Sequence, residues 1–309
     1  MTLLSHYTDR DGLVGIARSK TLRATSFLEL NDKRELLYGL TEVVKRAVQS
    51  ALVTMHSQLN PFDPVPKIDE AELTQILEKG YRTEFQKVDP SEHLYVASFA
   101  RSLTPDHEER GHRSLWREYT QNKGYCLQFD REEVTRFLTL EGTRRNYHIL
   151  ELAEVRYVLD ETDPDFVELK HENAQSMLEL IKRTNRELRF EIDRENRLPF
   201  AVFAQRMTSY CARHKDPFFE DEREVRILAI PAGGNRARVG SGIAAQKPVK
   251  KHADGRGYID LFADWRPGLE PLRIIVGPEA SSNLDEVLPL FNRRPVILRA
   301  EFPIRDSRS

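Results

Sequence analysis

The sequence predicts an α+β fold whose central mixed sheet is built from the N- and C-terminal parts of the chain. Short apolar runs typical of strands occur near both ends, whereas the regions at about 31–87 and 164–214 have the composition of long helical insertions. With 309 residues, of which 39% are hydrophobic, the chain has enough apolar material for a sizeable core. We therefore expect residues 1–309 to form a single domain that carries these two insertions.

The stretch Lys215–Leu228 is the one around which the other predictions are organised. It leaves a long helical region and enters a predicted buried strand, Val225–Ile230. Because side chains alternate along a strand, we expect Glu222, Glu224 and Arg226 to share one face. Two carboxylates about 7 Å apart beside a guanidinium are typical either of an acid–base device or of a surface ion ladder.

The N-terminal elements are predicted from short-range patterns. Leu3–Thr8 has strand character, and Asp9 can cap a following helix that carries one apolar side. Thr21–Thr25 returns to an extended conformation. Asp32 and Glu35 have capping-box spacing and precede apolar residues that recur every three or four positions, which predicts a long amphipathic helix.

The rest of the chain alternates between predicted strands and helices. Further strands are expected at Leu94–Ala100, Gly124–Phe129, Tyr147–Val158, Tyr258–Phe262, Leu272–Val276 and Val296–Ile304. Helices are expected near Asp69–Phe85, at Ser114–Tyr119 and at Asn283–Phe291, and Pro199 is expected to divide the second insertion into two helices. Arg101–Arg113 reads as a polar, mobile segment and Ala232–Gly257 as a flexible loop.

Charge and cysteine usage restrict the function classes. Lys and Arg total 47 against 49 Asp and Glu, so the net charge of −2 gives no global field toward nucleic acid or membrane. A nucleic-acid partner is thus unsupported by net charge. One local basic cluster could bind a phosphate, although a solvated loop is the simpler interpretation; it consists of Lys247, Lys250, Lys251, His252 and Arg256. Cys126 and Cys211 are far apart and in no metal-ligand spacing, which predicts a reducing cytoplasmic setting without a metal site. No signal-peptide or membrane-span pattern is found.

An ordered set of short motifs resembles the bacterial domain-of-unknown-function family 2971. The resemblance covers nearly the whole chain, and each motif is weak alone. The motifs are His6-Tyr7-Thr8, Leu22–Thr25, Leu30-Asn31-Asp32, Ala97-Ser98-Phe99, Leu115–Tyr119, Gly124–Asp130, Glu222, Glu224, Arg226, Ile275–Pro278 and Pro303–Arg305. Ala100 departs from the serine that the family usually has there.

A more distant resemblance is to ADP-ribosyltransferase-like folds, on the strand His6-Tyr7-Thr8 and the pair Glu222-x-Glu224. It implies an NAD-using enzyme in which His6 holds a ribose and Glu224 is the catalytic carboxylate, assisted by Glu222. The implied contacts to NAD come from His6, Tyr7, Thr8, Ser98, Phe99, Trp116, Tyr119 and Arg226. It also implies a macromolecular acceptor and a bacterial toxin or phage-defence effector.

Simpler interpretations stay open beside these roles. His6 can be a half-buried histidine bonded to a backbone carbonyl, and Phe99 and Trp116 can be ordinary core anchors. The two glutamates can be ion-paired with neighbouring arginines. Alternative functions are therefore a nuclease that uses the carboxylates with a divalent ion, or a non-catalytic ligand-sensing or interaction domain in which His6 and Glu224 lie apart.

Overall fold

The computed structural model describes residues 1–30, 35, 38–46, 49, 71, 75, 89–164, 166–167, 200–232, 238–239, 242–243 and 245–302. The chain forms two compact units. Unit 1 comprises Met1–Thr25, Tyr95–Glu154 and Asp221–Ser309, and unit 2 comprises Ser26–Leu94 and Val155–Glu220. The predicted insertions fall in unit 2, and most of their residues lie outside the described ones. The α+β class is confirmed.

A mixed sheet of ten described strands forms unit 1. Its strands are β1 (Leu3–Thr8), β2 (Leu22–Ser26), β3 (Tyr95–Arg101), β4 (Tyr125–Asp130), β5 (Tyr147–Glu154), β6 (Glu224–Pro231), β9 (Lys250–Lys251), β10 (Gly257–Leu261), β11 (Arg273–Val276) and β12 (Val296–Arg299). The order is β12-β11-β4-β1-β3-β2-β10-β9, with β6 beside β3 and β5 beside β6. Two short strands, β7 (Arg238–Val239) and β8 (Gly242–Ile243), pair separately. The sheet therefore joins both ends of the chain, as predicted.

The sheet divides along one edge of β3. Residue Ala100 pairs with Ser5 of β1 on one side and with Glu224 of β6 on the other. β1 pairs with β3 only through Leu4 and Ser5, and β2 is the next strand along that same edge. Beyond Ser5, therefore, β1 and β3 part.

Four helices of unit 1 connect these strands: α1 (Arg10–Ser19), α2 (Pro105–Arg110), α3 (Arg113–Thr120) and α4 (Arg131–Arg144). The side chain of Asp9 accepts the backbone N–H of Gly12 and that of Asp130 accepts the N–H of Glu132, so each caps the helix that follows it. α2 lies in the segment predicted to be mobile, and α4 was not predicted.

The hydrophobic core of unit 1 lies on one face of the sheet, against α1 and α4. It contains Leu4, Phe99, Leu127 and Phe129 from the central strands and Val134, Phe137 and Leu138 from α4. A smaller cluster of Trp116, Cys126, Ile275 and Ala300 lies on the opposite face, together with Tyr7. Both faces of the sheet are thus covered, and buried polar groups in β1, β3, β4 and β6 need hydrogen-bond partners.

Unit 2 is described in part, by a π-helix (Gly39–Val44), helix α5 (Phe200–Ala212), the 3-10 turns Phe27–Glu29 and Pro90–Glu92, and the first four residues of the 3-10 turn Pro217–Glu222. A Cβ placed on Gly39 would lie 2.6 Å from Cβ of Cys211, so the two helices approach too closely there for a larger residue. Lys215, which is 3% exposed, forms an ion pair with Glu35 at 3.1 Å. Every described helix of the chain is too short or too polar to span a membrane.

Three predicted elements differ from the structure. The predicted helix Asn283–Phe291 contains only the 3-10 turn Leu288–Leu290, because Pro289 lacks the N–H that a helix would use. Lys247 does not belong to the exposed basic cluster, since it is 3% exposed and pairs with Glu141. Lys250 and Lys251 form strand β9 rather than a loop.

Candidate functional site

His6 lies where β1 and β3 part. Its Nδ1 is 3.0 Å from the carbonyl oxygen of Ser98, and because a carbonyl only accepts, Nδ1 carries the proton and donates it. Burial lowers the pKa of His6, more than this hydrogen bond raises it. The neutral ring therefore keeps a lone pair on Nε2, which has no hydrogen-bond partner among the described residues.

Ser98 and Phe99 border this opening in different ways. Ser98 is half-buried between the buried residues Ala97 and Phe99, so the sheet admits solvent at this point. Phe99 is 2% exposed, and its ring lies 5.8 Å from the His6 ring and 6.1 Å from that of Phe129. Phe99 thus supports His6 from the hydrophobic core.

Strand register decides which side chains share a face. Ser5, Ala100 and Glu224 are opposite one another across β1, β3 and β6, so their side chains point to the same face. Ser98 is opposite Arg226 and lies on this face as well. His6, one residue after Ser5, points to the other face. The structure therefore brings Ser98, Glu224 and Arg226 together but places His6 and Glu224 on opposite faces of the sheet.

Glu224 and Arg226 form a buried bidentate ion pair. Nε of Arg226 is 2.7 Å from Oε1 of Glu224, and the Arg226 NH2 nitrogen is 2.8 Å from Oε2. Their side chains are 5% and 2% exposed, so the pair is not a surface ion ladder. Parallel N–H···O bonds of this kind fix the orientation of the carboxylate. Arg226 therefore orients Glu224 on the sheet face.

Glu222 lies outside the strand that was predicted to carry it. The 3-10 turn Pro217–Glu222 ends at this residue, and Arg223, with φ of 46°, turns the chain before β6 begins at Glu224. The expectation that Glu222 and Glu224 share a strand face is therefore wrong. Glu222 is 7% exposed, and its Oε2 accepts a hydrogen bond of 3.2 Å from the hydroxyl of Tyr119, which is 52% exposed.

Tyr7 and Trp116 hold helix α3 against the sheet. The Tyr7 hydroxyl accepts the backbone N–H of His112 at 2.6 Å, and the two aromatic rings meet edge to face at 5.0 Å. Trp116 is fully buried and donates its indole N–H to Arg110. A Cβ on Gly111, where φ is 75°, would lie 2.8 Å from the Tyr7 hydroxyl, so glycine is required there. Thr8 ends β1 opposite Tyr125.

One further set of polar residues lies beside α4, which the sequence did not predict. A cavity of about 600 Å³ between α4 and β5 is lined by Asn146 and Tyr147 together with Arg131 and Arg145. The sequence signal that could have predicted α4 is the helix cap Asp130, followed by the apolar residues Val134, Phe137 and Leu138 at helical spacing. In the described parts of the chain, no group of three or more His, Cys, Asp or Glu side chains is placed to hold a metal ion.

Comparison with known proteins adds one match. Residues 115–227 match the model of a family described as "Protein of unknown function (DUF2971)". No curated protein and no solved structure matches the chain. The matched segment contains Trp116, Tyr119, Glu222, Glu224 and Arg226, whereas His6 and Ser98 lie outside it. Residues 115–227 of this chain thus carry the signature of domain-of-unknown-function family 2971, which confirms the predicted resemblance over that segment.

Proposed function

We propose that this protein is an NAD-using ADP-ribosyltransferase-like enzyme with Glu224 as its catalytic carboxylate. The observation that carries the proposal is the buried Glu224–Arg226 pair, in which both carboxylate oxygens are held by one guanidinium. A carboxylate held in a fixed orientation in a water-poor position is a group that can stabilise a developing positive charge. The proposal includes NAD as the cofactor and a macromolecule as the acceptor.

The proposed reaction breaks the N-glycosidic bond of NAD. Nicotinamide leaves with the bonding electron pair, and the ribose C1 becomes oxocarbenium-like before an acceptor nucleophile supplies a new pair. Glu224 stabilises the positive ribose, while Glu222 takes the proton that the acceptor loses. Tyr119, whose hydroxyl donates to Glu222, orients that base.

His6 supplies a hydrogen-bond acceptor for a ribose hydroxyl in this scheme. Its Nδ1–H is used by the Ser98 carbonyl, so Nε2 is the atom that accepts. Since His6 and Glu224 lie on opposite faces, a cleft containing both has to run through the opening where β1 and β3 part. The half-buried Ser98 marks that opening.

A second candidate function, nucleotide sensing without catalysis, is favoured by the placement of His6 and Glu224 on opposite faces of the sheet. If the opposite-face placement of His6 and Glu224 is kept when ligand binds, the protein is a non-catalytic sensor that binds a nucleotide without cleaving it. The biological setting, a cytoplasmic bacterial toxin or phage-defence effector, belongs to the first candidate and rests on the same resemblance. Nucleic acid is a less supported acceptor because the net charge is −2.

Nicotinamide release from NAD by the purified protein tests the proposal. Glu224→Asp keeps the charge beside Arg226 but withdraws the carboxylate by one methylene, so we expect a folded protein whose rate falls by about 100-fold or more. Glu154→Gln, which alters an exposed carboxylate on β5, is the matched control and should leave the rate unchanged.

The outcomes separate the two candidates. Nicotinamide release that is lost in Glu224→Asp and kept in Glu154→Gln supports the transferase. NAD binding without release, in the presence of water and of protein or nucleic-acid acceptors, supports the sensor. Neither binding nor release would refute both.

A further inference from the structure

We propose that the cavity between α4 and β5 is a binding site for an adenine mononucleotide, separate from the Glu224 site. Its volume of about 600 Å³ lies within the range of small-molecule sites, about 300–1,000 Å³. The lining residues are Arg131, Thr135, Leu138, Thr139, Gly142, Arg145, Asn146, Tyr147, Leu150, Glu151 and Leu152. They combine an apolar wall with a few polar groups, which is the usual composition of a ligand site.

Asn146 is the polar group that points to a ligand. The residue is only 7% exposed, and its backbone is fixed because its N–H donates to Ala245 and its carbonyl accepts from Ala232. Its side-chain amide, by contrast, makes no hydrogen bond with any described residue. Its amide atoms are not among the fully buried polar atoms that lack a partner, so they are accessible from the cavity that Asn146 lines. A ligand edge with an adjacent acceptor and donor would satisfy both the donor and the acceptor of the amide.

Adenine presents such an edge. A carboxamide pairs bidentately with the amino group N6 and the ring nitrogen N7 of adenine, donating to N7 and accepting from N6. Guanine presents two acceptors, O6 and N7, at the same edge and cannot receive both bonds from an asparagine. Asn146 therefore favours adenine over guanine.

Tyr147 and three leucines provide the apolar wall for the base. The Tyr147 hydroxyl donates to Oε1 of Glu141 at 2.8 Å, which fixes the ring. Burial and the Glu141 charge raise the pKa of Tyr147 far above its usual value, so the hydroxyl stays protonated and bonded. The ring thus offers its face rather than its polar end to a ligand, beside Leu138, Leu150 and Leu152.

Arg131 is the group available for a phosphate. One of its terminal nitrogens donates to Glu154 at 2.9 Å, and its other N–H groups have no partner among the described residues. Arg145 is committed instead, because its Nε and NH2 bind Asp264 at 2.6 and 2.7 Å and its NH1 binds the Gln246 carbonyl. One guanidinium group can bind one phosphate group through two parallel hydrogen bonds.

The sugar and the phosphate count follow from the remaining lining residues. The hydroxyls of Thr135 and Thr139 donate to main-chain carbonyls one turn earlier in α4, so their oxygens can accept from ribose hydroxyls. Arg131 supplies one guanidinium, and Arg145 is committed to Asp264 and Gln246. The cavity therefore matches the charge of a single phosphate, which is why we infer a monophosphate.

The position of the cavity keeps it apart from the Glu224 site. Leu152 is opposite Ile227 in the sheet and so shares its core face, whereas Ala153 is opposite Arg226. The α4–β5 cavity and the Glu224–Arg226 pair therefore lie on opposite faces of the strand pair β5–β6. The proposal holds whether or not the protein cleaves NAD.

Calorimetric titration of the full-length protein with AMP, adenosine and GMP tests the proposal. AMP should bind with a dissociation constant below about 1 mM, the affinity of a weak but specific ligand. GMP should bind about tenfold more weakly or worse, and Asn146→Ala should remove this difference. Arg131→Gln should weaken AMP to the level of adenosine and leave adenosine unchanged.

Two more variants keep the outcome decisive. Gly142→Leu, which extends a side chain from α4 toward Leu150, should abolish AMP binding while circular dichroism shows a folded protein. Glu224→Asp should bind AMP like the unmodified protein even if it no longer releases nicotinamide. Failure of AMP and adenosine to bind at millimolar concentration, or equal binding in all variants, overturns the site without bearing on the transferase.

Discussion

Replacing Lys247 by methionine should destabilise the protein strongly, because Lys247 neutralises a carboxylate that is completely enclosed. Glu141 has no exposed surface, and the side chain of Lys247 is 2% exposed. The same carboxylate accepts the Tyr147 hydroxyl at 2.8 Å and the backbone N–H of Phe262 at 3.0 Å. This network ties α4 to Phe262, which directly follows β10, and to the segment that carries Lys247.

The expected magnitude follows from leaving one charge without its partner. Lys247→Met retains the length and apolar body of the side chain but leaves the buried Glu141 carboxyl group without its cation, which costs about 3–5 kcal/mol. For a cooperative unit of 150–250 residues, each kcal/mol lowers Tm by about 2–4 °C. The free energy of unfolding should therefore fall by about 3–5 kcal/mol and Tm by about 6–20 °C.

Urea unfolding followed by circular dichroism measures this loss. Glu141→Gln combined with Lys247→Met removes both charges and keeps an oxygen for Tyr147 or Phe262, so the double variant should be more stable than Lys247→Met alone. Lys251→Met, at an exposed lysine on β9, is the matched control and should change stability by about 0.5 kcal/mol or less. If Lys247→Met is no worse than Lys251→Met, the ion pair does not hold these elements together.

Three further outcomes are expected. Burial, with a smaller contribution from His107, lowers the pKa of His112 to about 4. Because the unfolded chain binds this proton already below about pH 6.5, the free energy of unfolding should fall between pH 6.5 and 4 by up to about 3 kcal/mol. In urea unfolding at several pH values, His112→Asn should show a smaller fall. Tyr7→Phe removes the acceptor for the His112 N–H and should cost about 1–2 kcal/mol in urea unfolding. Gly142→Ala should raise stability by about 0.5–1 kcal/mol in the same assay, since the added Cβ lies 3.7 Å from Leu150 and a helix favours alanine. A stability that does not change with pH, a Tyr7→Phe variant as stable as the unmodified protein, and a Gly142→Ala variant less stable than it would each contradict the corresponding prediction.

The strands of the sheet could be predicted because each has a local signal. Leu3–Thr8 matches β1 residue for residue, and the predicted strands Leu94–Ala100 and Val225–Ile230 match β3 and β6 within one residue. Their apolar residues form short runs that are buried largely on both faces of the sheet, a pattern typical of core strands. The resemblance to family 2971 likewise rests on short motifs that are visible in the sequence.

Elements whose stability comes from distant partners could not be predicted. α4 presents Glu141 on its buried side, a position that reads as solvent-facing until Lys247, 106 residues later, is placed beside it. Asn146 becomes a candidate only because the fold places its side chain at the α4–β5 cavity. The register that separates His6 from Glu224 depends on pairing between three strands of the sheet, and no local pattern specifies it.

The same strand order constrains how the protein can be made. β1 pairs with β3 and β4, and β3 pairs with β6. Residues 3–8 therefore cannot form their strand pairs until residues 95–130 are synthesised, and β3 cannot pair with β6 until residues 224–231 are synthesised. Contacts of such sequence separation slow folding, and unpaired strand edges are prone to aggregate in the meantime. A nascent chain released from the ribosome before residue 231 would lack β6 and expose the edge of β3. We therefore expect yields to depend on chaperone supply and on translation rate through the long segment between β5 and β6.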